Sequence, residues 1–137
     1  MSMRRVLFPV GFSCFLAALG FASHAAAQEW TRFRGPNGQG VSDAETIPVQ
    51  STEADYNCKV QLPGGGHSSP VLWGKKIFLT CADDEESAQR MVVCLHADDG
   101  RVLWNKPYES EFHTKHKFNS FASATPAVDA DHVYVCW

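Results

Sequence analysis

After residue 27 the sequence has no stretch with the 3.6-residue apolar period of an amphipathic helix, which argues against an α or α/β fold. It has no Cys-x-x-Cys pair and no Cys-x-x-Cys-His run, so the common redox and haem-attachment spacings are absent. There is no Gly-x-Ser-x-Gly elbow, hence no α/β-hydrolase nucleophile. No stripe of Lys and Arg is available for nucleic acid. The long apolar run at 6–22 is broken by Pro9, Gly11 and Gly20, and its uninterrupted core is short for a bilayer span.

That run has a different meaning. Arg4 and Arg5 precede it, and Ala25-Ala26-Ala27 supplies an Ala-x-Ala cleavage site before Gln28. This is the layout of a secretory signal peptide, predicted as a helix within 1–27. Cys14 sits inside the apolar run after Gly11-Phe12-Ser13 rather than after a Leu-rich box, which argues against a lipid anchor. The expected location is periplasmic or extracellular, with no stable membrane span in the mature chain. Removing 1–27 takes two of the 12 Lys and Arg and none of the 15 Asp and Glu, leaving a formal charge of −5.

The rest reads as short strands. In Cys94-Leu95-His96-Ala97-Asp98-Asp99-Gly100-Arg101-Val102-Leu103-Trp104 an acidic-Gly turn joins two apolar runs. This predicts an antiparallel hairpin with Gly100 at positive φ and Trp104 as an anchor. An ordinary Asp-Gly hairpin with a buried Trp would look the same on this stretch alone. Upstream, 56–62 alternates as a strand should, and Pro63-Gly64-Gly65-Gly66 turns the chain. Further strands are expected at 67–72, 76–81 and 91–95, with a fourth starting at 102. Trp73-Gly74-Lys75 is read as a turn and 82–89 as a polar loop. Four such strands in sequence form a meander. In addition, 70–79 aligns with 126–135 at an offset of 56 residues, each copy starting Ser/Thr-Pro and ending in β-forming residues. A period on the order of 50 points to stacked or radial units, whose copies, including Pro70 and Pro126, should sit in like surroundings.

These residues carry a resemblance. The hairpin resembles the repeat of quinoprotein-type (pyrroloquinoline quinone, PQQ) β-propellers, whose blades end Ala-Leu-Asp-Ala-x-Thr-Gly-x-x-Leu-Trp. Leu95, Ala97, Gly100, Leu103 and Trp104 match, while Cys94, His96 and Asp99 replace Ala, Asp and Thr. The opening Trp30-Thr31-Arg32-Phe33-Arg34-Gly35-Pro36-Asn37-Gly38-Gln39-Gly40 resembles that of exported bacterial PQQ-like propeller proteins, and Trp30 and Phe33 are expected to pin this loop to the body. The 113–126 stretch resembles their connection between blades, and Cys58 stands where they carry a Trp. The resemblance covers most of 30–137 and implies a scaffold. In quinoprotein dehydrogenases it would further imply PQQ between a Trp and a vicinal disulfide, calcium held by Glu and Asn, and a catalytic Asp. This sequence has no adjacent Cys pair and no motif that places those acids.

Other chemistry was weighed residue by residue. His67-Ser68-Ser69 invites a hydrolase reading, but no acid is placed to orient the His. His113 and His116 have zinc-like spacing, but no further ligand follows; a solvated interblade loop is the competing reading. Asp83-Asp84-Glu85-Glu86 supplies oxygens for calcium without EF-hand spacing and otherwise solvates a loop tip. Gly35, Gly38 and Gly40 lack the strand and helix of a phosphate loop. Cys81 and Cys94 could bridge adjacent strands in an exported chain, or stay as free core thiols.

The expectation is an all-β chain: signal-peptide helix at 1–27, looped segment at 28–55, and partial β-propeller at 56–137 with about one and a half to two four-stranded antiparallel blades. Closed propellers need roughly four to eight blades, so the chain reads as the N-terminal piece of a longer propeller or as a truncated reading frame. The expected function is an exported, non-catalytic binding or assembly scaffold for a protein or small-molecule ligand. The alternative is the N-terminal part of a PQQ-dependent dehydrogenase. No catalytic, cofactor-binding or metal residue is assigned, and PQQ is expected only in a complete propeller. Any ligand would be met by loops such as the one around 113–123.

Overall fold

The structure, a computed structural model, describes residues 29–44, 48–83 and 89–137. The predicted signal peptide and most of the acidic run lie outside them. Strands dominate: β1 (Val71–Trp73), β2 (Lys76–Ala82), β3 (Arg90–His96), β4 (Val102–Tyr108), β5 (Ala127–Val128) and β6 (Val133–Tyr134). Among the described residues the only helical element is the 3-10 turn Glu53–Asp55, where the Asp55 carboxylate accepts from the Thr52 N–H at 2.7 Å.

β1 to β4 form one antiparallel sheet in sequence order, and β5 and β6 form a second, two-stranded sheet. The meander follows from composition. β2 and β3 are continuous runs of apolar and β-branched residues, the pattern of strands covered on both faces. β4 carries Asn105, Lys106 and Pro107 and is exposed along most of its length, as an edge strand can be.

Strand periodicity divides the core into two layers. Leu79, Cys81, Met91, Val93 and Leu95 lie on one face of the sheet, with Val60 and Leu62 packed over them. Val71, Phe78 and Cys94 lie on the other, where Val128 and Val133 of the second sheet cover them beside Trp73 and Trp104. Each fully buried Val, Leu or Phe contributes about 1.5–3 kcal/mol, so these layers outweigh any exposed ion pair on the rim.

Several expectations are corrected. The strand expected at 56–62 forms no ladder; Val60 and Leu62 of this segment contribute side chains to the core. The reason is its position. It crosses the face of β2 and β3, whose backbone groups already bond to each other, so no free edge adjoins it. The strand expected from His67 begins only at Val71, and Trp73 belongs to β1 rather than to the turn. Phe33 does not pin the N-terminal loop, being 58% exposed. Trp30 does, through paired backbone bonds with Leu72. The free-thiol reading of the cysteines holds: the four in the described residues are free, and Cys81 and Cys94 are buried in the core. Cys81 and Cys94 cannot bridge, because they face opposite core layers. Burial raises the pKa of both.

The 56-residue repeat reappears in three dimensions. Val71 pairs with Phe78 and Leu72 with Ile77; Ala127 pairs with Tyr134 and Val128 with Val133. The two hairpins therefore share one register. Equivalent residues also meet: the Ser69 N–H donates to Thr125 Oγ1 at 3.1 Å. The N–H groups of Leu72 and Val128, another equivalent pair, donate to the successive carbonyls of Trp30 and Thr31. The surroundings are not alike throughout, since Pro126 is buried and Pro70 exposed. Pro126 stands beside the first copy, whereas no described strand flanks Pro70 on its corresponding side.

The turn at 97–100 locks the sheet to the segment across its face. Gly100 has φ 70°, as its turn position requires, and its N–H donates to the His96 carbonyl at 2.8 Å. A Cβ there would come within 2.5 Å of Val60 Cγ2 and 2.7 Å of Cys58 Sγ. Left-handed backbone costs an L-residue about 1–2 kcal/mol, and overpacking adds about 1–3 kcal/mol. Gly100→Ala is therefore expected to destabilise the fold by about 2–5 kcal/mol, read from the urea midpoint; an unshifted midpoint would refute this packing. A thiol-reactive maleimide should label exposed Cys58 and Cys136 in the native protein and reach Cys81 and Cys94 only on denaturation, as peptide mapping would show.

Candidate functional site

Two regions gather polar and aromatic side chains. The first is the seam between the sheet and the β5–β6 hairpin, a cavity of about 170 Å³ bounded by Trp73, Phe78, Trp104, Asp129 and His132. Trp104 tilts against Phe78 with ring centroids 5.9 Å apart, so the predicted anchor packs between the two sheets. Lys106 Nζ stands 5.3 Å above the exposed side of that indole.

At the mouth of the seam, Asp129 organises the second hairpin. Its carboxylate accepts from Tyr134 Oη at 2.7 Å, from the Asp131 N–H at 2.9 Å and from the His132 N–H at 2.7 Å. The Tyr134 hydrogen bond, then the two backbone donors, hold its pKa at about 2. In the first copy the turn is tied from outside, by the Glu29 carboxylate accepting the Gly74 N–H at 2.9 and 3.0 Å.

The second region is the connection from β4 to β5. Its base is a compact serine turn. Ser123 Oγ donates to the Ser120 carbonyl at 2.8 Å and accepts the Ser120 N–H at 3.1 Å, while Ser120 Oγ accepts the Ala122 N–H at 2.9 Å. The turn seats Phe121 and Ala122 against Ala82 as a third buried cluster. The Ala122 carbonyl accepts the His67 N–H at 3.1 Å.

Cations surround Phe121. Lys115 Nζ is 5.2 Å and the Arg90 guanidinium carbon 5.5 Å from its ring centroid, and the His113 ring meets its edge at 4.8 Å. Arg90 also lies 5.7 Å from the centre of the Trp137 ring. Arg90 Nε is buried without a hydrogen-bond partner among the described residues. These groups line a cavity of about 350 Å³. A neighbouring hollow of about 430 Å³ is bounded by His67, Lys115 and Lys117. Among the described residues no Asp or Glu side chain lines either one.

The residues singled out by sequence fall as follows. Ser68 Oγ accepts the Thr80 N–H at 3.2 Å and lies 3.3 Å from the Ser69 carbonyl, so it caps backbone and is not bonded to His67. His113 packs on Phe121, and His116 Nδ1 accepts the Phe118 N–H at 3.4 Å. Among the described residues no three His, Cys, Asp or Glu converge as a metal-ligand set. His96, standing where the blade motif has Asp, places Nδ1 3.3 Å from Asp99 Oδ1 without hydrogen-bond alignment. Arg90 was not foreseen. It enters from β3, far in sequence from the loop it joins. The alternating His and Lys of 113–117, with no acid among them, was the readable half of the cluster.

No family model matches the chain, nor does any curated protein or solved structure. Among the described residues no helix is long and apolar enough to cross a membrane.

Asp129 supplies a test of the seam. A depressed carboxylate pKa means that its stabilising effect is present above the unfolded value near 3.8 and is lost as pH falls through about 2. Carboxyl NMR should find Asp129 titrating near 2 in the native protein, with Tyr134→Phe moving it upward. An unmoved titration in that variant would show the Tyr134 bond to be absent in solution.

Proposed function

We propose that this chain is an exported protein of the PQQ-like β-propeller type whose blades serve as a non-catalytic binding or assembly scaffold. The observation that carries this reading is the shared register of the two hairpins at an offset of 56 residues, with equivalent residues Ser69 and Thr125 in direct contact. Units that repeat in sequence and touch through equivalent positions are what radial or stacked architectures require. The four-stranded meander, covered on one face by the next hairpin and on the other by an extended segment, supports it as a blade with neighbours. The signal-like residues 1–27 support export.

A scaffold role is favoured over catalysis by the placement of the reactive side chains. Ser68 is used in backbone capping, Cys81 and Cys94 are buried in separate layers, His113 packs on Phe121 and His116 caps the Phe118 N–H.

The rival dehydrogenase reading is tested by titrating the purified mature protein with PQQ and calcium while following dye-linked alcohol oxidation. The expected result is no PQQ-dependent dye reduction at any ratio. Turnover that requires both PQQ and calcium would overturn the scaffold reading.

A further inference from the structure

We propose that the cavity framed by Arg90, His113, Lys115 and the Ser120–Ser123 turn binds the oxyanion of a small organic acid, a carboxylate or a phosphate ester. The proposal names a ligand class for the scaffold read above and rests on that reading.

Four observations converge on it. First, charge is distributed against the trend of the chain. Acids outnumber Lys and Arg, 15 to 12, yet this cavity is lined by Arg90, His113, Lys115 and His116 and, among the described residues, by no Asp or Glu side chain. Second, Arg90 and Lys115 hold their charges within 5.5 Å of the same Phe121 centroid. Two cations on one ring repel each other unless an anion stands between them or close by. Third, the Arg90 guanidinium is fixed by Phe121 and Trp137, with Nε buried and unbonded. A guanidinium held between aromatic rings can offer its Nη N–H groups to an oxyanion as charge-assisted hydrogen bonds. Fourth, the space suits a small molecule. About 350 Å³ lies within the range of ordinary ligand pockets, and Asn119, Ser120 and Ser123 add neutral polar groups to its wall.

The two described acids between β4 and the basic loop do not face this cavity. Glu109 accepts from the Gln89 amide at 3.0 Å, and Glu111 does not line the cavity. The adjoining hollow shares Lys115 but has Lys117 and His67 in place of Arg90. It lacks the stacked guanidinium, which makes Lys117 the natural control.

The experiment is isothermal titration of the mature protein with citrate, glucose 6-phosphate and uncharged glucose at low and moderate salt. Saturable one-to-one binding of citrate or glucose 6-phosphate, weakened by salt and absent for glucose, is expected. The tighter of the two identifies the group preferred. Lys115→Gln should weaken binding at least tenfold while Lys117→Gln changes it less than twofold. Arg90→Gln should abolish it, and Lys115→Gln keeps the test decisive if the Arg90 variant fails to fold. No saturation by either anion, equal binding of glucose, or equal losses in the Lys115 and Lys117 variants would overturn the proposal. Such a failure leaves the scaffold reading standing, whereas PQQ- and calcium-dependent dye reduction would remove that reading without bearing on this cavity.

Discussion

A strand pair that is apolar on both faces has to be covered on both, and the architecture follows from that constraint. β2 and β3 place Leu79, Cys81, Met91, Val93 and Leu95 on one side and Phe78 and Cys94 on the other. Neither β1 nor β4 can cover them, since both lie in the same sheet. Cover therefore comes from outside it: the extended residues around Val60 and Leu62 on one face, the β5–β6 hairpin on the other. Gly100 lets the first of these approach closely. The N-terminal segment joins the two inner strands by receiving the Leu72 and Val128 N–H groups on neighbouring carbonyls. A sheet built this way is covered on both faces by chain from outside it.

The polar chemistry sits where this packing ends. The connection from β4 to β5 must run around the rim of the sheet, and it is held there by a buried phenylalanine and a turn of serine hydrogen bonds. Rigid anchoring at its base lets the loop present Lys115 and His113 beside Arg90 of β3. The arrangement concentrates positive charge in a chain that is otherwise acidic, and such local departures from the overall charge carry information about ligands.

Much of the fold was legible in the sequence because hairpin chemistry is local. The Asp98-Asp99-Gly100 turn, the uninterrupted apolar runs of β2 and β3, and the recurrence of the Pro-led hairpin each depend on residues close together in the chain. The strand expected at 56–62 was misread for a related reason. Alternation reports which side chains can be buried, and Val60 and Leu62 are indeed packed, but it does not report whether a free strand edge lies alongside. The alternative of a bridge between Cys81 and Cys94 is excluded by parity of facing, which becomes visible only once the β2–β3 register is fixed. The candidate site was half legible. The basic loop could be read from 113–117, while its partner Arg90 could not, because nothing local links the start of β3 to a loop more than twenty residues later.

What the sequence determined by itself is the meander of 71–108, its 97–100 turn and the recurrence of the Pro-led hairpin, since each is set by backbone sterics and by apolar patterning over a few residues. Tertiary structure alone decided which stretch covers which face, that two cysteines on adjacent strands never meet, and that an arginine and a lysine from distant segments share one aromatic ring. Those outcomes depend on register and on long-range burial, and both are properties of the assembled sheet rather than of any window of the chain.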